Sequence, residues 1–221
     1  MRAFLVAGSP IAERPWRWSP GAADRVIAAD FGAHHALAWG WPVHLLIGDL
    51  DSLPPAEVEA LRGRGTPTVT APVAKDETDL ELALAHALAE GAREIVLCGA
   101  LGGRADHLLA NVLLLARPEL ADVKVVLADG GQTLRLLSNV DGAAVSLALA
   151  GTPGDLLTLL PLSGDAEGVR TEGLVYPLAD ETLRFAYARG VSNVFQGRTA
   201  RIWLRRGRLL VIHISQADLE E

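Results

Sequence analysis

The chain has 221 residues, half of them hydrophobic and 21% charged, which is enough for one large or two small domains around a proper core. Its formal net charge of −7 excludes the broad basic surface that nucleic-acid binding requires. One cysteine, Cys98, excludes an internal disulfide, and no apolar stretch approaches the roughly 20 residues of a membrane span, so the expectation is a cytoplasmic protein.

In chain order, the opening MRAFLVAGSP is too short in its apolar part for a signal peptide and reads as a first strand, 4–7. Further apolar runs predict strands over 25–29, 43–47, 67–70, 94–98 and 124–128, several of them nearly continuous, as expected when both faces of a parallel sheet are covered. Cys98 ends one of these runs and reads as a small buried hydrophobe. Helical spacing appears over 77–90, with Leu80, Leu84, Ala87 and Leu88 on one stripe. It recurs over 106–117, with Leu108, Leu109, Val112, Leu113 and Ala116, and stops at Pro118. Strands alternating with helices predict a doubly wound α/β domain with a mainly parallel sheet over 1–130. Beyond that point helical periodicity fades and turn signals recur every ten residues or so, predicting an all-β, sandwich-like domain over 131–221. The final stretch reads as a hairpin, Ile202 and Leu204 on one arm, Leu210, Ile212 and Ile214 on the other, with Arg206-Gly207 near the turn.

In open α/β sheets ligands bind beyond the carboxyl ends of the strands. Asp30 follows the second run, and Asp49 and Asp51 in GDLDS follow the third. Side chains two apart on an extended chain point the same way, about 7 Å apart, and a cation between them turns repulsion into attraction. A second cluster, KDETDLELAL, holds Lys75, Asp76, Thr78 and Asp79 at a helix start. A third, GALGGRADHLLAN, leads from a glycine turn into a helix that opens with Arg104, Asp106 and His107. Exposed N–H groups there suit a phosphate, and Arg104 adds a bidentate contact. Each cluster alone also reads as a turn or a cap. All three fall at one edge of one sheet, and oxygen ligands in that number are what Mg²⁺ bound to a polyphosphate takes. The P-loop pattern G-x-x-x-x-G-K-[ST] is absent.

These residues resemble the thiamine pyrophosphokinase family, whose members carry G-D-[FL]-D-S, K-D-x-T-D and G-G-R-x-D-H followed by an asparagine. They stand here, in order, as Gly48-Asp49-Leu50-Asp51-Ser52, Lys75-Asp76-Glu77-Thr78-Asp79, and Gly102-Gly103-Arg104-Ala105-Asp106-His107 with Asn111. The second half adds GLVYPL and GVSNVF. Asp30-Phe31-Gly32 departs from the family's more frequent Asp-Gly-Gly. The resemblance implies an α/β catalytic domain binding ATP and Mg²⁺, and a β domain binding thiamine. It also implies a homodimer with sites between subunits. Carried over by position, Asp49, Asp51, Asp79 and Asp106 handle Mg²⁺ and catalysis. Asp30, Lys75, Thr78, Gly103, Arg104 and Asn111 contact ATP, and Tyr176, Ser192 and Asn193 contact thiamine. The expected reaction is attack of the thiamine hydroxyl on the β-phosphorus of ATP, with AMP leaving. Alternatives are the same transfer to another alcohol such as a pterin carbinol, a non-catalytic nucleotide or thiamine-diphosphate sensor, or a Mg²⁺-dependent phosphohydrolase. Trp16 and Trp18 read as loop packing or interface residues, and the remaining histidines show no ligand spacing.

Overall fold

The computed structural model describes residues 1–48, 52–70, 76–140 and 142–219, the side chains of 218 and 219 excepted. The chain divides into two compact units, Met1–Gly130 and Gly131–Glu221.

The first unit runs β1 (Arg2–Val6), β2 (Arg25–Ala29), α1 (Gly32–Ala38), β3 (Leu45–Ile47), α2 (Pro55–Gly63), β4 (Thr68–Val69), α3 (Asp79–Ala89), β5 (Glu94–Cys98), α4 (Ala105–Leu114) and β6 (Lys124–Asp129). All its strand pairings are parallel, in the order β6-β5-β1-β2-β3-β4. Parallel neighbours need crossover connections, and the helices that supply them cover the sheet, which is why β1, β2 and β5 are buried almost throughout. Phe4, Val26, Val96 and Val126, each on a different strand, share one core cluster with Ala33 and Ala36 of α1. Chain order reverses at β1: β2, β3 and β4 extend the sheet one way, β5 and β6 the other. A doubly wound sheet places its ligand crevice at that switch point.

The helix expected over 77–90 is α3, two residues later at its start, because Thr78 caps it. Its hydroxyl accepts from the Glu81 amide at 3.2 Å while Glu81 accepts the Thr78 amide at 2.8 Å, a complete capping box. α4 departs from its expected stripe: Leu109 and Leu113 are 60% and 56% exposed, and of the helix only Leu114 is buried.

The second unit contains β7 (Gln132–Asn139), β8 (Val145–Ala150), β9 (Leu156–Pro161), β10 (Ala166–Glu172), β11 (Glu181–Leu183), β12 (Asn193–Val194), β13 (Thr199–Leu204) and β14 (Gly207–Ile214). They form two antiparallel sets, β12-β9-β14-β7 and β11-β10-β13-β8. Leu157, Leu159, Leu209 and Val211 from the first set and Val169, Ala200, Ile202 and Leu204 from the second meet in one core. The expected terminal hairpin is therefore corrected. β13 pairs with β10 and β8, whereas β14 pairs with β7 and β9, so the two arms belong to different sheets. Gly207 makes the corner at φ +112°, where a Cβ would lie 2.7 Å from the Asp165 carbonyl oxygen. The inward residues of β14 include Leu209, Val211 and His213, not Ile212 or Ile214. His213 Nε2 meets buried Asp155 Oδ2 at 2.8 Å, and Asp155 Oδ1 accepts the Gln216 amide, fixing the end of β14 to the start of β9.

Candidate functional site

A cavity of about 570 Å³ opens at the carboxyl ends of β1, β2 and β5, at the switch point of the parallel sheet. Its wall takes Gly8, Ser9 and Pro10 from the loop after β1, Asp30 and Phe31 after β2, and Ser52 after β3. Glu77, Thr78 and Asp79 come from the start of α3, Gly99, Ala100 and Gly102 from the turn after β5, and Arg104, His107 and Asn111 from the next helix. Segments separated by ninety residues thus converge because parallel strands deliver their exits to one edge.

Asp30 sits at φ +46°, a left-handed backbone that aspartate tolerates better than most side chains. Its amide donates to the Ile47 carbonyl at 2.9 Å. Gly48 answers this geometry: at φ +141° its absent Cβ would fall 1.8 Å from Asp30 Oδ1, so the glycine that opens GDLDS leaves room for the carboxylate. Phe31 has φ −57° and ψ −13°, ordinary helical values, so this position demands no glycine. Its ring stacks on His34 with centroids 4.7 Å apart.

Ser9 is held by its backbone. Its amide donates to the Gly99 carbonyl at 3.0 Å, and its carbonyl meets His35 Nε2 at 2.8 Å, so that nitrogen carries the proton. Burial pushes His35 below the ordinary histidine value, although the Ser9 bond opposes this. The Ser9 hydroxyl is buried and finds no hydrogen-bond partner among the described residues.

Arg104 and Asp106 form a two-pronged ion pair at 3.1 and 2.6 Å. The Arg104 guanidinium, and then the His107 amide, hold the Asp106 carboxyl down at about 2. Both side chains are largely exposed, 74% and 64%. Asn111 turns inward instead, donating from Nδ2 to the Ala100 carbonyl at 2.9 Å.

Of the residues singled out in the sequence, Asp30, Thr78, Asp79, Arg104 and Asn111 line the one cavity. Asp49, Asp51 and Lys75 lie outside the described residues. Asp106 is not in the wall, its carboxylate facing Arg104, and Gly102 rather than Gly103 contributes to the lining. Among the described residues no group of three or more His, Cys, Asp or Glu side chains is placed to hold a metal ion. Asp30, Glu77 and Asp79, the acidic residues among those lining the wall, carry the hard oxygen donors that a divalent cation such as Mg²⁺ takes, so their chemistry fits one although they are not gathered about one point. The sequence reading missed Gly8, Ser9 and Pro10. The signal was there, since the loop after the first strand leaves at the same sheet edge as the acidic motifs.

In the second unit Tyr176, 61% exposed, and Asn193, 8% exposed, are directly coupled. Asn193 Oδ1 accepts the Tyr176 amide at 3.0 Å and Nδ2 donates to the Tyr176 carbonyl at 2.7 Å. Ser192, at φ +58°, gives its amide to Thr158 Oγ1 at 3.0 Å. Val175, Phe185 and Tyr187 are also about half exposed or more.

Two family models match this chain in sequence order: thiamin pyrophosphokinase, catalytic domain, over 18–127, and thiamin pyrophosphokinase, vitamin B1 binding domain, over 146–209. A thiamine pyrophosphokinase of Bacillus subtilis is 25% identical over 175 residues, 75% of either chain. The crystal structure of a Bacillus subtilis thiamine pyrophosphokinase superimposes with a TM-score of 0.85 at 22% identity, over 97% of this chain and 99% of that one. That of a thiamin pyrophosphokinase from Geobacillus thermodenitrificans gives 0.82 at 26% identity, over 98% and 99%.

Proposed function

Because this chain belongs to the thiamine pyrophosphokinase family, we infer that it is an enzyme that transfers the pyrophosphoryl group of ATP to the hydroxyl of thiamine, giving thiamine diphosphate and AMP. The observation that carries the reading is convergence. Thr78 and Asp79 from one motif and Arg104 and Asn111 from another, far apart in sequence, line a single cavity with Asp30 at the switch point of the sheet. The first unit is the catalytic one and the second binds thiamine.

In this reading Asp49, Asp51, Asp79 and Asp106 hold Mg²⁺, and Asp30, Lys75, Thr78, Gly103, Arg104 and Asn111 serve the nucleotide. Bound Mg²⁺ neutralises charge on the triphosphate oxygens. The chain's own task is positioning, as in other phosphoryl transfers. Thr78 Oγ accepts from Glu81 in the cap but keeps its own proton to donate to a phosphate oxygen. Arg104 exchanges its carboxylate partner for phosphate when nucleotide arrives, which releases Asp106. Thiamine is a cation, and the acidic chain draws it in. Tyr176 offers it an aromatic face, with Ser192 and Asn193 beside it. The exposed Tyr176, Phe185 and Tyr187, together with Leu109 and Leu113 of α4, support a homodimer in which sites form between subunits. Among the described residues no helix is long and apolar enough to cross a membrane, which accords with a cytoplasmic enzyme.

Incubation with Mg²⁺, ATP and thiamine, read by mass spectrometry, tests the reading. AMP should appear in step with thiamine diphosphate, with no earlier thiamine monophosphate. ADP and thiamine monophosphate as first products would refute it.

A further inference from the structure

Two side chains from different elements grip one peptide plane in the glycine turn. Asn111 Nδ2 donates to the Ala100 carbonyl at 2.9 Å, and Asp129 Oδ2 accepts the Leu101 amide at 3.4 Å. That carbonyl and that amide belong to the same rigid unit. Asp129 is 7% exposed and ends β6, beside β5. Its other oxygen accepts the Glu13 amide at 2.6 Å. The next residue adds two main-chain bonds to the same loop, Trp16 N–H to the Gly130 carbonyl at 2.9 Å and Gly130 N–H to the Glu13 carbonyl at 3.4 Å. One buried carboxylate therefore ties the loop after β1 to the turn after β5, and both supply the cavity wall.

The plane needs a grip because glycines flank it. Gly99 at φ +60° and Gly102 at φ +82° give the turn backbone freedom that other residues lack. A flipped Ala100–Leu101 peptide would re-aim the amides that follow it. The two grips reject that state. An ionised carboxylate accepts only, and Asn111 presents a donor, so a flip would set the carbonyl against Asp129 and the amide against Nδ2. A carbonyl oxygen set against the Asp129 carboxylate is repulsive and takes the Leu101 amide away from Oδ2, which makes the rejection firm.

We propose that Asp129 is a positioning residue for the nucleotide: with Asn111 it fixes the orientation of the Ala100–Leu101 peptide and so the aim of the glycine turn at the ATP phosphates. This rests on the cavity being the ATP site. It also gives Asn111 a role through the backbone beside any contact of its own.

The test is a double-mutant cycle on the full chain, Asp129→Asn, Asn111→Ala and the pair, with Mg-ATP binding measured by calorimetry in the absence of thiamine. Each single change should raise the Kd for Mg-ATP about 5- to 30-fold, and the double variant should be little worse than the weaker-binding single one, because a plane released once is not released again. The KM for thiamine at saturating ATP should stay at the wild-type value. Should Asp129→Asn not fold, Asp129→Glu, which keeps an acceptor on a longer and misplaced arm, takes its place in the cycle. An unchanged Kd in the Asp129 variant with a lowered melting temperature would overturn the proposal and leave Asp129 a purely structural group. Fully additive losses would overturn it too, because the two residues would then act separately. Failure of the wild-type protein to bind Mg-ATP would instead remove the proposed function.

Discussion

Asn193, which the family resemblance sets beside thiamine, has its amide engaged with both polar groups of the Tyr176 main chain. Its contribution to thiamine binding should therefore run through the tyrosine. Tyr176→Ala should raise the KM for thiamine several-fold to some tens-fold and leave that for ATP alone, since a cation over an aromatic face is worth ~0.5–2 kcal/mol. Asn193→Ala should shift the same constant, and in the Tyr176→Ala background it should add nothing. Additive effects would make Asn193 a direct contact. Sequence alone could place the two residues in one motif set, but nothing in GLVYPL or GVSNVF announces that one side chain braces the other's backbone. The same holds for Asp129. It stands at the end of an apolar run like Asp30, yet its carboxylate turns to the amides of Glu13 and Leu101. Polar residues at strand ends were visible; which of them face the ligand and which face the backbone depends on loops whose paths no periodicity records.

Elements with a continuous apolar run were legible, whereas the shortest helix and the inward face of α4 were not. The strands at 25–29 and 94–98 stand where the apolar runs put them, because a run buried on both faces has little choice of environment. The seven-residue helix Gly32–Ala38 escaped notice: it is too short to show two turns of stripe. Its placement depends instead on one glycine. A Cβ at Gly32 would lie 1.9 Å from the Val6 carbonyl oxygen, so the helix start rests against the backbone of β1. Gly32→Ala should cost about 2–3 kcal/mol by overpacking, a fall of roughly 4–12 °C in melting temperature for a protein of this size. Gly63, with nothing within 4 Å of its would-be Cβ, is the control. Gly63→Ala should be neutral or slightly stabilising. Equal effects in thermal denaturation would show that helix propensity and not close approach governs both. The terminal pair of strands failed as a hairpin for a different reason. Alternation and a glycine turn specify two adjacent extended segments, but the left-handed corner at Gly207 sends them to different sheets.

At the scale of the whole molecule, acid sensitivity should begin above the range of the carboxylates. Burial, first of all, pushes both His35 and His44 below the usual histidine value of about 6.5, and His44 Nδ1 must stay unprotonated to accept the Val26 amide at 3.0 Å. The unfolded chain takes up protons that the fold refuses. Stability should therefore fall as pH drops below about 6.5 and go on falling until the depressed folded values are reached. The combined His35→Gln and His44→Asn variant, which can keep both bonds without the charge, should show a flatter melting temperature between pH 7 and 5. A slope like the wild type's would locate the sensitivity elsewhere. Asp24, held low by Arg2, enters only at more acid pH. The pairing of β14 has a consequence in time. Gly207–Ile214 lies between β7 and β9, which bond to it and not to each other. A ribosome delivers Gln132–Asn139 and Leu156–Pro161 long before the strand that joins them, so the backbone edges that face it wait unpaired through some forty-five residues of synthesis at about 5–20 residues per second, a span of seconds during which a nascent chain is open to chaperones or to wrong partners.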